Sequence, residues 1–368
     1  MIKYTSFTLI LLLAYSLFPQ EPYVDFLPEP QIEFNPKSYI CYRTDSPIVI
    51  DSRMNEKIWQ KADWTDDFID IEGDLKPKPN LKTNVKMLWD DDYFYFFCEM
   101  QETDIWAKLK KRDSVIFYDN DFEIFIDPDG DTHNYYEFEM NAYNTLWDLF
   151  LSEPYRDNGC KVLDSWDIQG IKTAVHINGT LNDPTNKDES WNVEIAYPWK
   201  VLEECANGCP PEGGDQWRVN FSRVEWDTDI TDGKYEKIIG NPEHNWVWSP
   251  QGLINMHYPE MWGFVQFSDK QAGSGKDKFI FNEDENIKWK LRQLYYKQRT
   301  YFMQNGKFAD NLEVLGLTDL DINGFQPLQI FTTPNTFEAI LKSKDGKTTI
   351  SIFDNGLIKV QKPEEAEE

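Results

Sequence analysis

The stretch 119–142, DNDFEIFIDPDGDTHNYYEFEMNA, sets acids at spacings that could do chemistry. Its two ends read as strands around a turn, and side chains along a strand alternate between two faces. Phe122, Ile124 and Ile126 share one face of the first run, and Glu123, Phe125 and Asp127 share the other. On the return run Tyr136, Phe138 and Met140 continue the apolar face, while Glu137, Glu139 and Asn141 continue the polar one. A turn over 128–134 pairs Asp127 with Tyr135, which sets Phe125 opposite Glu137 and Glu123 opposite Glu139. Directly opposed residues have Cβ atoms roughly 5 Å apart. Carboxylates that close repel, so either one keeps its proton or the pair shares a cation or a donor-rich ligand. The competing account is a solvated sheet face, which antiparallel sheets often have. Such a face would intersperse Lys with Glu, yet no Lys or Arg occurs between Asp119 and Ala142.

The turn holds a second acidic set, Asp127, Asp129 and Asp131, spaced two apart like an oxygen-ligand calcium loop. Gly130 comes too early for an EF-hand, and Phe138 stands where its bidentate Glu would fall. A plain Asp/Gly turn is therefore the main reading and structural calcium the alternative; no cofactor is required. Other chemistries lack their motifs. The four His are dispersed without an H-E-x-x-H pair, and neither a G-x-S-x-G elbow nor a phosphate-cradling Gly loop occurs.

The elements that must position these acids are mostly β. Short β runs recur at 82–90, 93–100, 191–199, 216–226 and 261–267, with DD at 91–92 as a hairpin signal. Many short strands with turn residues between them predict an antiparallel β-sandwich over 38–268. The segment 55–62, NEKIWQKA, reads as one short helix. A Gly/Lys-rich linker is expected at 269–280. Beyond it Asn282 and Glu285 form a helix-start pattern, and Ile287, Leu291, Leu294, Tyr295, Gln298 and Phe302 recur at helical spacing up to the NG at 305–306. Strands near 336–342, 347–353 and 356–361 follow, so 281–362 reads as a small α+β domain of one long helix plus an antiparallel meander. A Pro-rich lead-in (19–37) and an acidic tail (363–368) complete the organisation.

The 368 residues carry a net charge of -27, which repels phosphate backbones and argues against a nucleic-acid partner. The 14 Trp fit a β-rich core, with two or three available to stack on sugars. At the N-terminus Lys3, an apolar run at 7–14 and small residues at Ala14 and Ser16 form a leader pattern over 1–18, with an uncleaved anchor as the alternative. Export to the periplasm, cell surface or medium is the expectation. Export permits disulfides, and of the five Cys, Cys205 and Cys209 could close a small ring while Cys98 reads as a core thiol.

Taken in order, PIVIDSRMNEKIW (47–59), VKMLWDDDYFYFFCEM (85–100), the acidic hairpin, SWNVEIAYPW (190–199) and WRVNFSRVEW (217–226) resemble the family 9 carbohydrate-binding modules. The resemblance covers roughly 38–268. It implies a sandwich that binds sugars, often at a chain end, at times attached to glycoside hydrolases and at times with structural calcium. It places a sugar-hydroxyl acceptor at Glu123, a clamping aromatic at Phe117 beside Tyr118, and a ligand-side polar group near Asn141. Glu139 stands where well-studied members have Arg, so the ligand or its orientation differs. The second clamp falls in the loop NWVWSPQGLINMHYPEMWG, where Trp248, His257 and Tyr258 are candidates and Trp248 is chosen. The segment 289–317 resembles the helix of type IV pilin-like soluble domains without their N-terminal apolar half, which implies a docking or spacer module.

These readings predict a secreted binder of oligosaccharide or polysaccharide ends that supports polysaccharide catabolism without its own catalysis. The alternatives are a glycoside hydrolase using the Glu123/Glu139 pair, and an envelope module whose C-terminal domain binds a protein partner.

Overall fold

A computed structural model describes residues 26–157, 159–317, 320 and 322–362. The expected leader, the first residues of the lead-in and the acidic tail lie outside them. No helix among the described residues is long and apolar enough to cross a membrane.

The predicted strands form. β1 (Ser38–Arg43), β2 (Ile69–Asp70), β3 (Thr83–Trp89), β4 (Tyr93–Gln101), β5 (Asp121–Asp127), β6 (Tyr135–Asn141), β7 (Leu146–Leu151) and β8 (Val162–Leu163) precede β9 (Lys172–Asn178), β10 (Ser190–Pro198) and β11 (Gln216–Glu225). β12 (Thr228–Thr231) and β13 (Lys234–Lys237) make a separate ribbon, and β14 (His244–Val247) and β15 (Gly263–Gln271) close the set. One ladder runs β8-β7-β6-β5-β11-β15-β1-β3-β4-β10-β9, with β14 on β11 and β2 on β14. The sheet folds over so that Phe122, Ile124 and Phe138 of one half meet Phe94, Phe96, Val193 and Ile195 of the other in one core. The pairing is antiparallel except at β1, which lies parallel to both β15 and β3. Trp89, Trp199 and Trp217 pack with Phe94 and Phe267 at ring separations of 5.4 to 6.3 Å, which accounts for part of the Trp surplus.

Three local expectations are corrected. Residues 55–62 form turns, not a helix, because their groups are drawn into the sandwich. The Trp59 indole donates to Glu194 at 2.8 Å, and the Trp59 carbonyl accepts from Lys86. Cys205 and Cys209 are not bonded to each other; the Cys209 thiol donates to the Trp199 carbonyl. The segment expected as a linker is laid on the sandwich, with β15 running to Gln271, Ala272 buried, and the Asp277 amide donating to the Tyr42 hydroxyl at 2.8 Å.

The C-terminal part is one helix, α1 (Asp284–Asn305), and a meander of β16 (Gln329–Thr332), β17 (Phe337–Lys342), β18 (Thr349–Phe353) and β19 (Ile358–Gln361). The Asn282 side chain accepts from the Asp284 amide, and Gly306 ends the helix in the left-handed conformation with φ 68°. Leu291, Leu294 and Tyr295 pack on the meander and on Leu27, Tyr258 and Met261 from the sandwich side. Phe34 stacks on Trp289 at 4.8 Å. Buried charges join the two parts. Arg218 pairs with Glu285 at 2.6 Å, and Glu260 accepts from Arg156 at 3.0 Å and lies 3.6 Å from Arg292. Tyr296 also donates to Glu260, and Asp157 accepts from Arg299 and Tyr295.

Candidate functional site

The β5–β6 register places Glu123 opposite Glu139 and Phe125 opposite Glu137, as the alternation predicts. The acid face is not solvated. A layer of Ile71, Met256 and Trp262 packs over Phe125 and Leu149 on that side of the sheet, so Asp121, Glu123, Glu137 and Glu139 are all buried. Above the carboxylates opens a cavity of about 310 Å³, lined by Phe117, Glu123, Glu137, Glu139, Trp147, Tyr155, Glu243, Asn245, Met256 and His257 among others. A groove of about 730 Å³ adjoins it and shares Ile71, Glu243, Asn245 and Ile254.

Phe117 sits in the helical turn Ile116–Tyr118 before β5. Its amide donates to Glu139 at 3.0 Å and its carbonyl accepts from the Trp226 indole at 2.8 Å, so the ring and the cavity floor are fixed together. Ser222 of β11 stands opposite Glu123 on the other side. Burial pushes the Glu123 carboxyl up to about 7, with the Ser222 hydroxyl pulling it back. Glu137, Glu139 and Asp121 lie well above the usual carboxylate range, first through burial and then through repulsion by their acidic neighbours, Glu123 above all.

Other predicted site residues lie elsewhere. Tyr118 is exposed and leans on Phe117 at 4.9 Å but does not line the cavity. Asn141 is consumed by structure: its amide donates to Leu109 and Asp119, and its oxygen accepts from Tyr143 and Thr145. Trp248 is a core residue, 1% exposed, packed on Phe221. It fits because position 263 is glycine, where a Cβ would fall 2.4 Å from the indole. Of the loop's three candidates it is His257 that reaches the cavity, held by the Tyr135 hydroxyl at 2.8 Å and met edge-on by Tyr155 at 4.3 Å. Burial, then the Arg156 charge, lowers the His257 imidazole to about 3. Trp147 and Tyr155 are aromatic walls missed at first. Alternation in TLWDLFL already puts Trp147 on one face with Leu149, and the ladder pairs it with Glu139.

The turn acids form a separate set. Asp127, Asp129 and Asp131 each bring a carboxylate oxygen within 4.8 Å of the others. Asp127 accepts from the amides of Gly130 and Thr132, and Asp131 from His133. Burial and the neighbouring Asp129 push Asp131 up to about 7.

The family described as carbohydrate family 9 binding domain-like matches residues 50–242, just over half of the chain. The exoglucanase XynX of Acetivibrio thermocellus is 28% identical over 155 residues, 42% of this chain and 12% of the relative. The chain thus spans a small fraction of that enzyme. A protein of Bacteroides uniformis provisionally described as carbohydrate-binding is 16% identical, with a TM-score of 0.48, over 64% of this chain and 100% of its own. A family 9 carbohydrate-binding module of Caldicellulosiruptor kristjanssonii in complex with cellotriose is 14% identical, with a TM-score of 0.42, over 66% of this chain and 100% of its own. On the match over 50–242, this chain belongs to the carbohydrate family 9 binding domain-like family.

Proposed function

We propose that the protein is an exported carbohydrate binder that seats a sugar end in the cavity above Glu123 and leads the rest of the chain into the adjoining groove. The observation that carries this is a floor of buried carboxylates under aromatic walls, in a domain of a carbohydrate-binding family. Phe117 and Trp147 line the cavity, where aromatic rings can stack on the apolar faces of a pyranose, and carboxylate oxygens accept hydroxyls as strong charge-assisted hydrogen bonds. Asp127, Asp129 and Asp131 offer only oxygen ligands, the chemistry of structural calcium, and would hold it in the turn away from the sugar. The leader pattern supports export, and N-terminal sequencing of secreted protein tests it.

Isothermal titration of the full chain with glucose, cellotriose and a panel of other oligosaccharides tests the binding reading. Saturating heat should appear for at least one sugar. Phe117→Ala should weaken it about tenfold or more, the scale of one lost stacking contact of about 1.5 kcal/mol. Unchanged affinity in that variant removes the site assignment.

The opposed Glu123 and Glu139 favour a second reading, glycoside hydrolysis, since retaining glycosidases hold two carboxyl groups about 5 Å apart. New reducing ends, lost in Glu139→Gln, would establish it.

A further inference from the structure

We propose that Asp121, Glu123 and Glu139 hold a calcium ion at the floor of the cavity, whose open coordination positions take two neighbouring hydroxyls of the bound sugar. The second half rests on the carbohydrate reading above; the first does not.

The three residues are buried, and each brings one carboxylate oxygen within 4.8 Å of the other two. Calcium binds oxygens at about 2.4 Å, so ligands around one ion stand at most about 4.8 Å apart, twice that distance. Zinc favours the nitrogen and sulfur ligands that this cluster lacks, whereas calcium takes oxygen ligands alone and in flexible geometry. Among the described residues no ion pair reaches Asp121, Glu123, Glu137 or Glu139; Arg223 on the neighbouring strand is taken by Glu102 and Glu225.

An independent sign is unspent bonding capacity. Asp121 is fully buried, and its Oδ1 accepts from the Val224 amide at 3.3 Å while its Oδ2 meets no hydrogen-bond donor. Glu137, also buried on the same face, has an Oε2 with no partner either. Buried polar atoms without partners are rare, and each calls for an ion or another missing partner. The Phe117 amide donates to Glu139 Oε2 and holds that carboxylate at the cavity floor. The cavity lies on the open side of Glu123 and Glu139, where a ligand can complete the shell of six to eight oxygens. A vicinal diol supplies two oxygens at a suitable spacing.

The test titrates calcium chloride into the chelator-stripped full chain, without sugar, and compares wild type with Asp121→Asn/Glu139→Gln. Any ion at Asp127, Asp129 and Asp131 contributes equally to both. The double variant should bind one equivalent less; equal stoichiometry and affinity overturn the proposal. Terbium emission excited through tryptophan gives a check that spares the carboxylates. It should fall several-fold in Trp147→Phe, whose indole lines the cavity opposite Glu139, and unchanged emission counts against the site. The sugar arm repeats the titration of whichever sugar binds, with calcium and with chelator. Affinity should drop tenfold or more without calcium, and calcium-independent affinity overturns the shared coordination. Loss of the calcium equivalent with no sugar heat anywhere sinks the carbohydrate reading and leaves the ion site standing.

Discussion

Replacing Glu260 by Leu should loosen the seam between sandwich and helix. Glu260 is buried between Arg156 at 3.0 Å and Arg292 at 3.6 Å, and it accepts from the Tyr296 hydroxyl. Burial alone would raise its carboxyl, but Arg156 and Arg292 outweigh burial and hold it below the usual carboxylate range. Removing it leaves Arg156 with Asp157 at 3.7 Å, and leaves Arg292 with the Thr132 hydroxyl and no carboxylate. Stripping one partner from a buried ion pair costs about 3–5 kcal/mol. At about 2 °C per kcal/mol for a chain of this size, calorimetry should show Tm lower by about 6–10 °C. Glu260→Gln, which keeps the shape and one acceptor, should lose less. The folded pKa of Glu260 lies below its unfolded value, so the wild-type contribution is present above about pH 4.5 and is lost as pH falls through the folded value. The Leu variant should accordingly lack that acid-dependent loss. A Leu variant within about 1 °C of wild type would refute the reasoning and show that the arginines redistribute without cost.

Gly263→Ala should destabilise the sandwich by about 1–3 kcal/mol through overpacking against Trp248, read as a lower denaturation midpoint with an unchanged slope. His257 should stay neutral down to about pH 3, so its imidazole resonances should not move between pH 8 and 5. The groups facing it are Arg156, Tyr135 and Tyr155, and its depressed value means a contribution to stability that is present above about pH 6.5 and lost between there and pH 3. A resonance titrating near pH 6.5 would show that the imidazole is reached by water.

Much of the sandwich could be read from local pattern, because strand alternation is set by neighbours in sequence. The Glu123–Glu139 register followed from the turn length alone, and β17, β18 and β19 followed from KDGK and DNG. What could not be read is what covers a face. The acid row is buried because Ile71 and Met256, far away in sequence, lie on the same side as Phe125. Trp248 was misplaced for the same reason, since a loop tryptophan is buried once a distant glycine leaves room. Asn141 carried no mark that Leu109 and Asp119 would claim its amide. The family's Arg position, here Glu139, pointed toward the cavity without showing that its carboxylate is tied to the Phe117 amide.

The parallel placement of β1 between β15 and β3 bears on how the chain reaches this state. Tyr42 lies beside Leu88 but Ser38 beside Phe264, so the first strand can meet β3 early while its longer pairing must wait for the last strand of the sandwich. Pairings between segments so far apart in sequence pay their loop-closure entropy before any contact rewards them, and they form slowly. A growing chain therefore holds the β15 side of β1 unpaired until β15 has been made, and the sandwich closes late. The lead-in then ties both parts together, its Leu27 amide donating to the Thr300 hydroxyl of α1 at 3.1 Å and its Gln31 amide to the Gly252 carbonyl at 3.0 Å.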